Sequence, residues 1–264
     1  MRTCTIVNSK KVKPRKTNAS QVNEDTAYMN ATQTQADATA QTTQPVKVVA
    51  FDFDGTALDG NSPVILVKYL VKRHMLPPTV VARIVAWAAA YKLRLPQNEA
   101  WVRGLVFRAF SGMKVEEVDK FLRDFYDECC DARFRQQAED AMNTWRSAGA
   151  KIAFVSATFE PIILQAMTKH PIDLQISTRM KKAGDGTYTC EVEGEPVEGE
   201  QKMIELRRLC NGLWGVGGWE LVAAYGDHHS DRSMLAAAKQ GFAVCPDRPL
   251  SRTAKEAGYT VLEW

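Results

Sequence analysis

An apolar, β-branched run over residues 46–51 ends directly in the pentapeptide DFDGT at 52–56, and this junction constrains the chain more than any other feature. A short apolar run with a turn signal behind it is typical of a buried parallel strand, which delivers the following side chains at its carboxyl end. Two carboxylates two residues apart, Asp52 and Asp54, suit metal binding or acid–base chemistry, with one as nucleophile and the other as proton donor. The alternative is that both acids only cap the next helix.

Similar apolar runs recur later in the chain. We predict further strands at residues 151–155, 221–225, 242–245 and 259–262. Helical patterns separate the later runs, so the sequence predicts an α/β fold with a doubly wound parallel sheet. Residues 181–195 alternate around a Gly-Asp-Gly turn, which predicts a β-hairpin.

The remaining segments predict the domain organisation. Residues 62–141 have helical periodicity and no strand signal, and we interpret them as a helical cap inserted into a core of residues 46–61 and 142–264. The insertion leaves just after the first strand, so we expect it to form a lid over the carboxyl edge of the sheet. Residues 1–45, rich in Ala, Thr and Gln, are predicted to be a disordered tail.

The segment 79–93 is nearly apolar all round but interrupted by Arg83. It is shorter than the ~20 residues that span a bilayer, so we predict no transmembrane segment there. A helix packed within the cap and a helix at a membrane surface both remain open.

The charge distribution excludes one class of function. The net charge is +3, and the first 46 residues carry six basic and three acidic side chains, so the rest of the chain is neutral. A neutral globular part is not expected of a nucleic-acid enzyme.

The six cysteines form no C-x-x-C pair and the N-terminus has no apolar signal region, so we expect reduced thiols and a cytoplasmic protein.

A second acidic group follows the predicted strand at 221–225. Asp227 and Asp231 lie four residues apart in the string YGDHHSD. Four acids that converge at one sheet edge cannot all stay ionised without a cation, which predicts a hard divalent ion such as Mg²⁺. For His228 and His229, within the same string, we expect contact with substrate or solvent in preference to metal ligation.

Three further residues are candidates for phosphate binding. Thr56 offers a hydroxyl and an amide directly after the Gly55 turn. Ser156 ends a strand before a helix start, where a phosphate can bind, although an ordinary N-cap is the alternative. Lys202 lies at the start of another predicted helix, and a solvated surface charge is its alternative reading.

Together, in this order, the DFDGT string, Ser156, Lys202 and the GDHHSD string resemble the haloacid dehalogenase (HAD) superfamily over residues 46–264. The helical insertion and the ending Pro246-Asp247 resemble the phosphoserine phosphatase-like subgroup. The resemblance implies Asp52 as nucleophile and metal ligand, and Asp54 as general acid and base that also ligates the metal through its backbone carbonyl. It further implies Asp227 as a metal ligand and Asp231 as a supporting acid.

The function implied by the resemblance is a Mg²⁺-dependent phosphatase that hydrolyses a phosphate monoester through a phospho-aspartate on Asp52. The expected partner is a small phosphorylated metabolite or a phospholipid head group. Phosphoserine phosphatases carry a Glu nine residues after the nucleophile, where this chain has Asn61, with Asp59 nearby. The alternatives are therefore a phosphoserine phosphatase, a lipid phosphatase of the phosphatidylglycerophosphatase type, and a HAD-fold binding protein without activity.

Overall fold

The computed structural model of the chain describes residues 44–76, 79–80, 82 and 108–264. Its strands are β1 (Val46–Phe51), β2 (Lys151–Phe159), β3 (Leu174–Thr178), β4 (Met180–Lys182), β5 (Tyr188–Val192), β6 (Trp219–Gly226), β7 (Gln240–Val244) and β8 (Thr260–Leu262). Within these described ranges, six strands form one parallel sheet in the order β3-β2-β1-β6-β7-β8, and β4 pairs with β5 antiparallel. The strands predicted near 151, 221, 242 and 259 and the hairpin are therefore confirmed.

Helices alternate with these strands. They are α1 (Ser62–Lys72), α2 (Val115–Phe125), α3 (Gln136–Ser147), α4 (Glu160–Met167), α5 (Glu200–Trp214), α6 (Arg232–Ala237) and α7 (Arg248–Ala257). A π-helical turn, Tyr126–Cys130, and a 3₁₀ turn, Asp131–Arg133, follow α2. Another 3₁₀ turn, His229–Asp231, follows β6.

The two faces of the sheet each bury an apolar layer. Val49 and Phe51 of β1 point into one buried cluster, and Val48 and Ala50 point into the other. All four side chains are fully buried. Residues of α3 and α4 cover the first face, where α1 and α2 belong to the same apolar cluster, and residues of α5, α6 and α7 cover the second. Helices on both faces of a parallel sheet make a doubly wound α/β fold, which confirms the predicted fold class.

The strand register brings the predicted site residues to one edge. β1 lies between β2 and β6, with Phe51 in register with Phe154 and Tyr225. The amide of Asp52 donates to the carbonyl of Tyr225 at 3.0 Å. Because the three strands are parallel, the residues that follow them emerge at the same carboxyl edge, where open α/β sheets bind ligands.

The inserted segment leaves and re-enters the core through two hydrogen-bonded stretches. The amide of Asp59 donates to the Arg133 carbonyl at 2.8 Å, and the amide of Arg135 donates to the Ala57 carbonyl at 2.8 Å. The predicted boundary after residue 141 falls inside α3, which is continuous across it. We therefore propose that the insertion spans residues 60–132 and that α3 belongs to the core.

The β4–β5 hairpin is joined to the segment that precedes α2. The amide of Tyr188 donates to the Met113 carbonyl at 2.9 Å, and the amide of Gly112 donates to the Tyr188 carbonyl at 2.8 Å. The Tyr188 hydroxyl also donates to Asp119 Oδ1 of α2 at 2.6 Å. The hairpin and the beginning of α2 are therefore held together by both backbone and side-chain bonds.

Some predictions concern residues that the structure does not describe. The predicted tail lies outside the described residues except for Gln44 and Pro45, and the apolar segment 79–93 is described only at residues 79, 80 and 82, which are helical. In the part of the chain that is described, none of the helices combines the length and apolar character needed to cross a bilayer.

Candidate active site

The centre of the site is a buried ion-pair bridge. Asp52, the first residue after β1, is 6% exposed and accepts a hydrogen bond from Lys202 Nζ to Oδ1 at 2.6 Å. The same Nζ donates to Asp231 Oδ1 at 2.5 Å, and Asp231 is fully buried. Lys202 itself is 3% exposed, so it is not the solvated surface charge that the sequence left open. It links the ends of β1 and β6.

The local sequence explains how Lys202 reaches this position. Gly199 precedes α5 with a φ of 57°, a left-handed conformation that L-residues with side chains rarely adopt. The Gly199 carbonyl accepts a hydrogen bond from the Ser233 hydroxyl at 3.1 Å, which fixes the start of α5 beside α6. Met203 and Leu206 then pack into the core, and this packing holds the first turn of α5 against the sheet edge.

Burial and charge shift the pKa values of the acids upward. Burial raises the pKa of Asp52 well above its ordinary value, against the opposing charge of Lys202. Burial, followed by the charge of Asp231, raises the pKa of Asp227 to about 7. Burial alone would lower the pKa of Lys202, but Asp231 and Asp52 outweigh it and the pKa is raised. One ammonium among three carboxylates leaves an excess of negative charge that a further cation would neutralise.

Gly55 allows the loop after β1 to approach Asp227. Its φ is 75°, and a Cβ built on it would lie 2.0 Å from Asp227 Oδ2. Any side chain at this position would displace that carboxylate. The next residue, Thr56, is fully buried, and its hydroxyl lies 3.4 Å from Asp227 Oδ1. The predicted role of Thr56 in phosphate binding stays a prediction, since the contact that its hydroxyl makes is with Asp227.

The donor set fits a hard divalent ion. Asp52, Asp227 and Asp231 each bring one carboxylate oxygen within 4.8 Å of the others. Asp231 already accepts from Lys202 at Oδ1 and from the His228 amide at Oδ2. Asp52 and Asp227 are therefore the acids best placed to ligate, and Mg²⁺ is commonly held by one or two carboxylates with water completing the shell.

Asp54 has a separate environment from Asp52. Its Oδ1 accepts from the Ser62 amide at 2.5 Å, and its Oδ2 accepts from the hydroxyls of Ser62 at 3.0 Å and Thr158 at 2.5 Å. Burial raises the pKa of Asp54, while the bonds from Thr158 and Ser62 oppose the shift. The side chain thus does touch the start of the following helix, as the helix-capping alternative predicted, but it also contacts β2.

Ser156 is not the N-cap of the helix that follows it. α4 begins at Glu160 after Phe159, so Ser156 lies within β2. Its Oγ accepts from the Thr158 amide at 3.1 Å. Because that bond uses an acceptor lone pair, the Ser156 hydroxyl hydrogen stays available for an acceptor at the sheet edge.

The sequence profile of haloacid dehalogenase-like hydrolases matches residues 49–236, which contain every residue of the site. The chain belongs to this family. The predicted family and hydrolase class are therefore confirmed.

Two curated relatives align over most of this hydrolase. Protein CicA of Caulobacter vibrioides is 28% identical over 204 residues, which cover 76% of this chain and 88% of that protein. The histidinol-phosphatase of Neisseria meningitidis is 24% identical over 221 residues, which cover 81% of this chain and 97% of that protein. Both alignments extend beyond the sheet-edge motifs to most of each partner's length.

Two solved structures show the same fold. A protein of unknown function from Bordetella pertussis superposes with a TM-score of 0.73 at 21% identity, covering 83% of this chain and 99% of that chain. A substrate-bound phosphoserine phosphatase superposes with a TM-score of 0.58 at 20% identity, covering 84% and 94%. The predicted likeness of this HAD-like hydrolase to the phosphoserine phosphatase-like subgroup is thus confirmed at the level of the fold.

His228 and His229 make contacts within the loop around Asp231. The His228 ring accepts from the Ser230 amide at 3.3 Å and caps the short 3₁₀ turn, and its Nε2 lies 3.4 Å from Asp247. The His229 ring lies 2.6 Å from the Arg232 guanidinium. These contacts are within the protein, and the expected contact of His228 and His229 with substrate or solvent stays a prediction.

Sequence analysis missed Ser62 and Thr158, which hold Asp54. Both side chains are almost completely buried. The signal for Thr158 was its spacing of two from Ser156, since alternate residues of a strand share a face. The contact of Ser62 with Asp54 depends on how the chain turns after Gly60, which no local pattern specifies.

Proposed function

We propose that this hydrolase is a Mg²⁺-dependent phosphatase that cleaves phosphate monoesters through a phospho-aspartate on Asp52. The observation that carries the proposal is that two carboxyl groups two residues apart have different hydrogen-bond partners. Asp52 pairs with Lys202 at the acidic centre, whereas Asp54 is held by two hydroxyls and an amide. A nucleophile and a proton donor need such different environments.

The reaction has two steps, transfer of the phosphoryl group to Asp52 and hydrolysis of the resulting acyl phosphate. An oxygen of Asp52 forms a bond to phosphorus as the ester P–O bond breaks, and the leaving oxygen takes a proton from Asp54. Water then attacks the phosphorus of the acyl phosphate and gives a proton to Asp54, while the bond between phosphorus and the Asp52 oxygen breaks. Inorganic phosphate leaves, and both aspartates return to their starting states.

The surrounding residues would hold the phosphoryl group. Lys202 Nζ lies 2.6 Å from Asp52, close enough to contact a group transferred to that side chain. The Ser156 hydroxyl is free to donate, and Asp231 keeps Lys202 in place. Bound Mg²⁺, held by Asp52, Asp227 and the backbone carbonyl of Asp54, would supply positive charge to the phosphoryl oxygens.

The test is hydrolysis of p-nitrophenyl phosphate and a panel of phosphate esters by the purified chain. We expect turnover that requires Mg²⁺ and stops on chelation. Asp52→Asn should abolish it, because an amide is a poor nucleophile. Asp140→Asn, which changes an exposed acid of α3, is the matched control and should keep full activity. Activity of Asp52→Asn near that of the control would refute the covalent route.

The panel also addresses the substrate. The side chain of Asn61 accepts from the Val64 amide and caps α1, and Asp59 pairs with Arg135 at 3.1 Å. Asn61 and Asp59, the two candidates for binding a substrate ammonium group, thus both already have partners within the protein. Phosphoserine and histidinol phosphate belong in the panel because of the phosphoserine phosphatase fold and the Neisseria meningitidis relative. Phosphatidylglycerophosphate represents the lipid alternative.

We further propose that the insertion covers the carboxyl edge of the sheet. The first residue of α1 bonds to Asp54, so the insertion begins at the site. At the other end of the insertion, Asp127 pairs with Lys169, which follows α4, at 2.7 Å, and this pair ties the insertion to the core away from the carboxyl edge. A lid in this position would exclude water while the phospho-aspartate forms.

A further inference from the structure

Three oxygens form a closed triangle at Asp54. Asp54 Oδ2 lies 2.5 Å from the Thr158 hydroxyl and 3.0 Å from the Ser62 hydroxyl. The two hydroxyls lie 2.9 Å from each other. Each oxygen of the triangle is thus within hydrogen-bond distance of the other two.

The two hydroxyls belong to different parts of the molecule. Thr158 lies on β2 of the core and is 2% exposed, and Ser62 is the first residue of α1 and is 1% exposed. Asp54 is therefore held between a partner fixed to the sheet and a partner carried by the insertion. The Ser62 amide adds a bond to Asp54 Oδ1 from the same insertion residue.

We propose that Thr158 and Ser62 are positioning residues that aim the Asp54 carboxyl group for proton transfer. The inference rests on the proposed function, in which Asp54 gives its proton to the leaving oxygen. Thr158 holds the Asp54 carboxyl group against the sheet. Ser62 makes the orientation of the same group depend on where α1 lies. A misplaced carboxyl group costs rate in the step that needs its proton, and a shift of about 1 Å can cost ~10²-fold.

Thr158 is suited to a substitution test because its backbone and its side chain make hydrogen bonds to different residues. Its amide donates to Ser156, whereas its hydroxyl contacts Asp54 and Ser62. Thr158→Val keeps the amide and the β-branched shape but removes the hydroxyl. The phosphate-binding geometry at Ser156 is then unchanged, so KM should change by less than about threefold.

The experiment compares an alkyl phosphate, whose alkoxide needs a proton to leave, with p-nitrophenyl phosphate, whose phenolate does not. The measured quantity is kcat/KM, which covers the steps up to formation of the phospho-aspartate and omits its hydrolysis. For Thr158→Val we expect kcat/KM with the alkyl substrate to fall by at least about tenfold, and with the aryl substrate by less than about threefold. Thr158→Ser should recover most of the alkyl activity. Ser62→Ala should give a smaller selective loss, since its amide still bonds to Asp54.

A double variant shows whether Thr158 acts through Asp54. In an Asp54→Asn background, Thr158→Val should cause no further selective loss, because coupled residues are not additive. Thr178→Val is the matched control: it removes another buried strand hydroxyl, which accepts from the Val197 amide, and should leave the alkyl-to-aryl ratio unchanged.

Equal losses of kcat/KM with both substrates in Thr158→Val, which would leave the alkyl-to-aryl ratio unchanged, would overturn the inference. If Asp54→Asn is selective for alkyl substrates and Thr158→Val is not, the proposed function stands and the positioning role fails. No hydrolysis of any ester by the wild-type chain would overturn both.

Discussion

At the scale of single residues, the site is organised around an excess of buried acid. Lys202 compensates Asp52 and Asp231, whereas Asp227 lies at the edge of this bridge against Gly55. Burial, followed by the charge of Asp231, raises the pKa of Asp227 to about 7. When the Asp227 carboxyl group is ionised it lowers the free energy of unfolding, and a bound cation would raise that free energy again.

This imbalance predicts how Asp227→Asn changes thermal stability. With the pKa raised from 3.8 to about 7, the metal-free folded chain binds more protons than the unfolded chain, so its stability falls as pH rises between these values. In EDTA at pH 8, Asp227→Asn should therefore melt at least ~2 °C above the wild type. Differential scanning fluorimetry at pH 5 and pH 8 measures this, and the difference should shrink at pH 5.

Added Mg²⁺ provides the complementary measurement. It should raise the melting temperature of the wild type more than that of Asp227→Asn, because a bound ligand stabilises the state that binds it. The same rise in both proteins would argue against Asp227 as a ligand.

At the scale of elements, the insertion is held at its start beside Asp54 and, near α2, by the β4–β5 hairpin. Asn61 caps α1 where Asp54 also bonds to Ser62, so the helix start and the site share residues. The β4–β5 hairpin pairs with the segment before α2 and is secured by Tyr188 and Asp119. The contacts at the start of α1 and between the hairpin and α2 therefore fix the described part of the insertion relative to the core.

Tyr188→Phe tests the hairpin contact. Removal of the hydroxyl leaves the half-buried Asp119 carboxylate without this donor, which costs about 1–3 kcal/mol. We expect a lower urea midpoint and faster amide hydrogen exchange at residues 112–119. Thr189→Val is the control, since it removes a hydroxyl of the same strand that bonds to Lys181 and Glu191 within the hairpin and not to α2. Exchange at 112–119 that is as slow as in the wild type would contradict a role for this bond.

The strand β3 shows where pattern analysis fails at this scale. Its sequence Leu-Gln-Ile-Ser-Thr contains no two consecutive apolar residues, so it does not stand out as an apolar run. It becomes a strand because β2 offers it an edge, with Val155 in register with Ile176, and because tertiary pairing satisfies its backbone groups. The other parallel strands are richer in apolar residues and were predicted from sequence.

At the scale of the whole molecule, the described residues from 44 onward contain the sheet, both apolar layers and every site residue. β1 begins at Val46, whose amide donates to the Gly218 carbonyl at 2.9 Å. The preceding segment is poor in apolar residues, and its basic residues account for the net charge. Catalysis and stability should thus depend on residues 44–264.

Deletion of residues 1–43 tests this expectation. The shortened chain should keep kcat and KM within about twofold and its melting temperature within ~2 °C, since a segment of this composition buries little surface. Steady-state kinetics and calorimetry of both chains provide the comparison. A larger fall in melting temperature would mean that the segment packs on the folded part.

The sequence by itself determined the elements whose information is local. Apolar runs that end in DFDGT and GDHHSD specify buried strands with acids at their ends, and these placed Asp52, Asp54, Asp227 and Asp231 at one edge of a doubly wound sheet. Only the tertiary structure decided which groups meet. Lys202 lies 150 residues from Asp52 and Thr158 lies 104 from Asp54, and no local pattern encodes contacts across such separations. They arise because packing of α5 and pairing of β2 bring distant hydroxyl and ammonium groups to acids that burial would otherwise leave without partners.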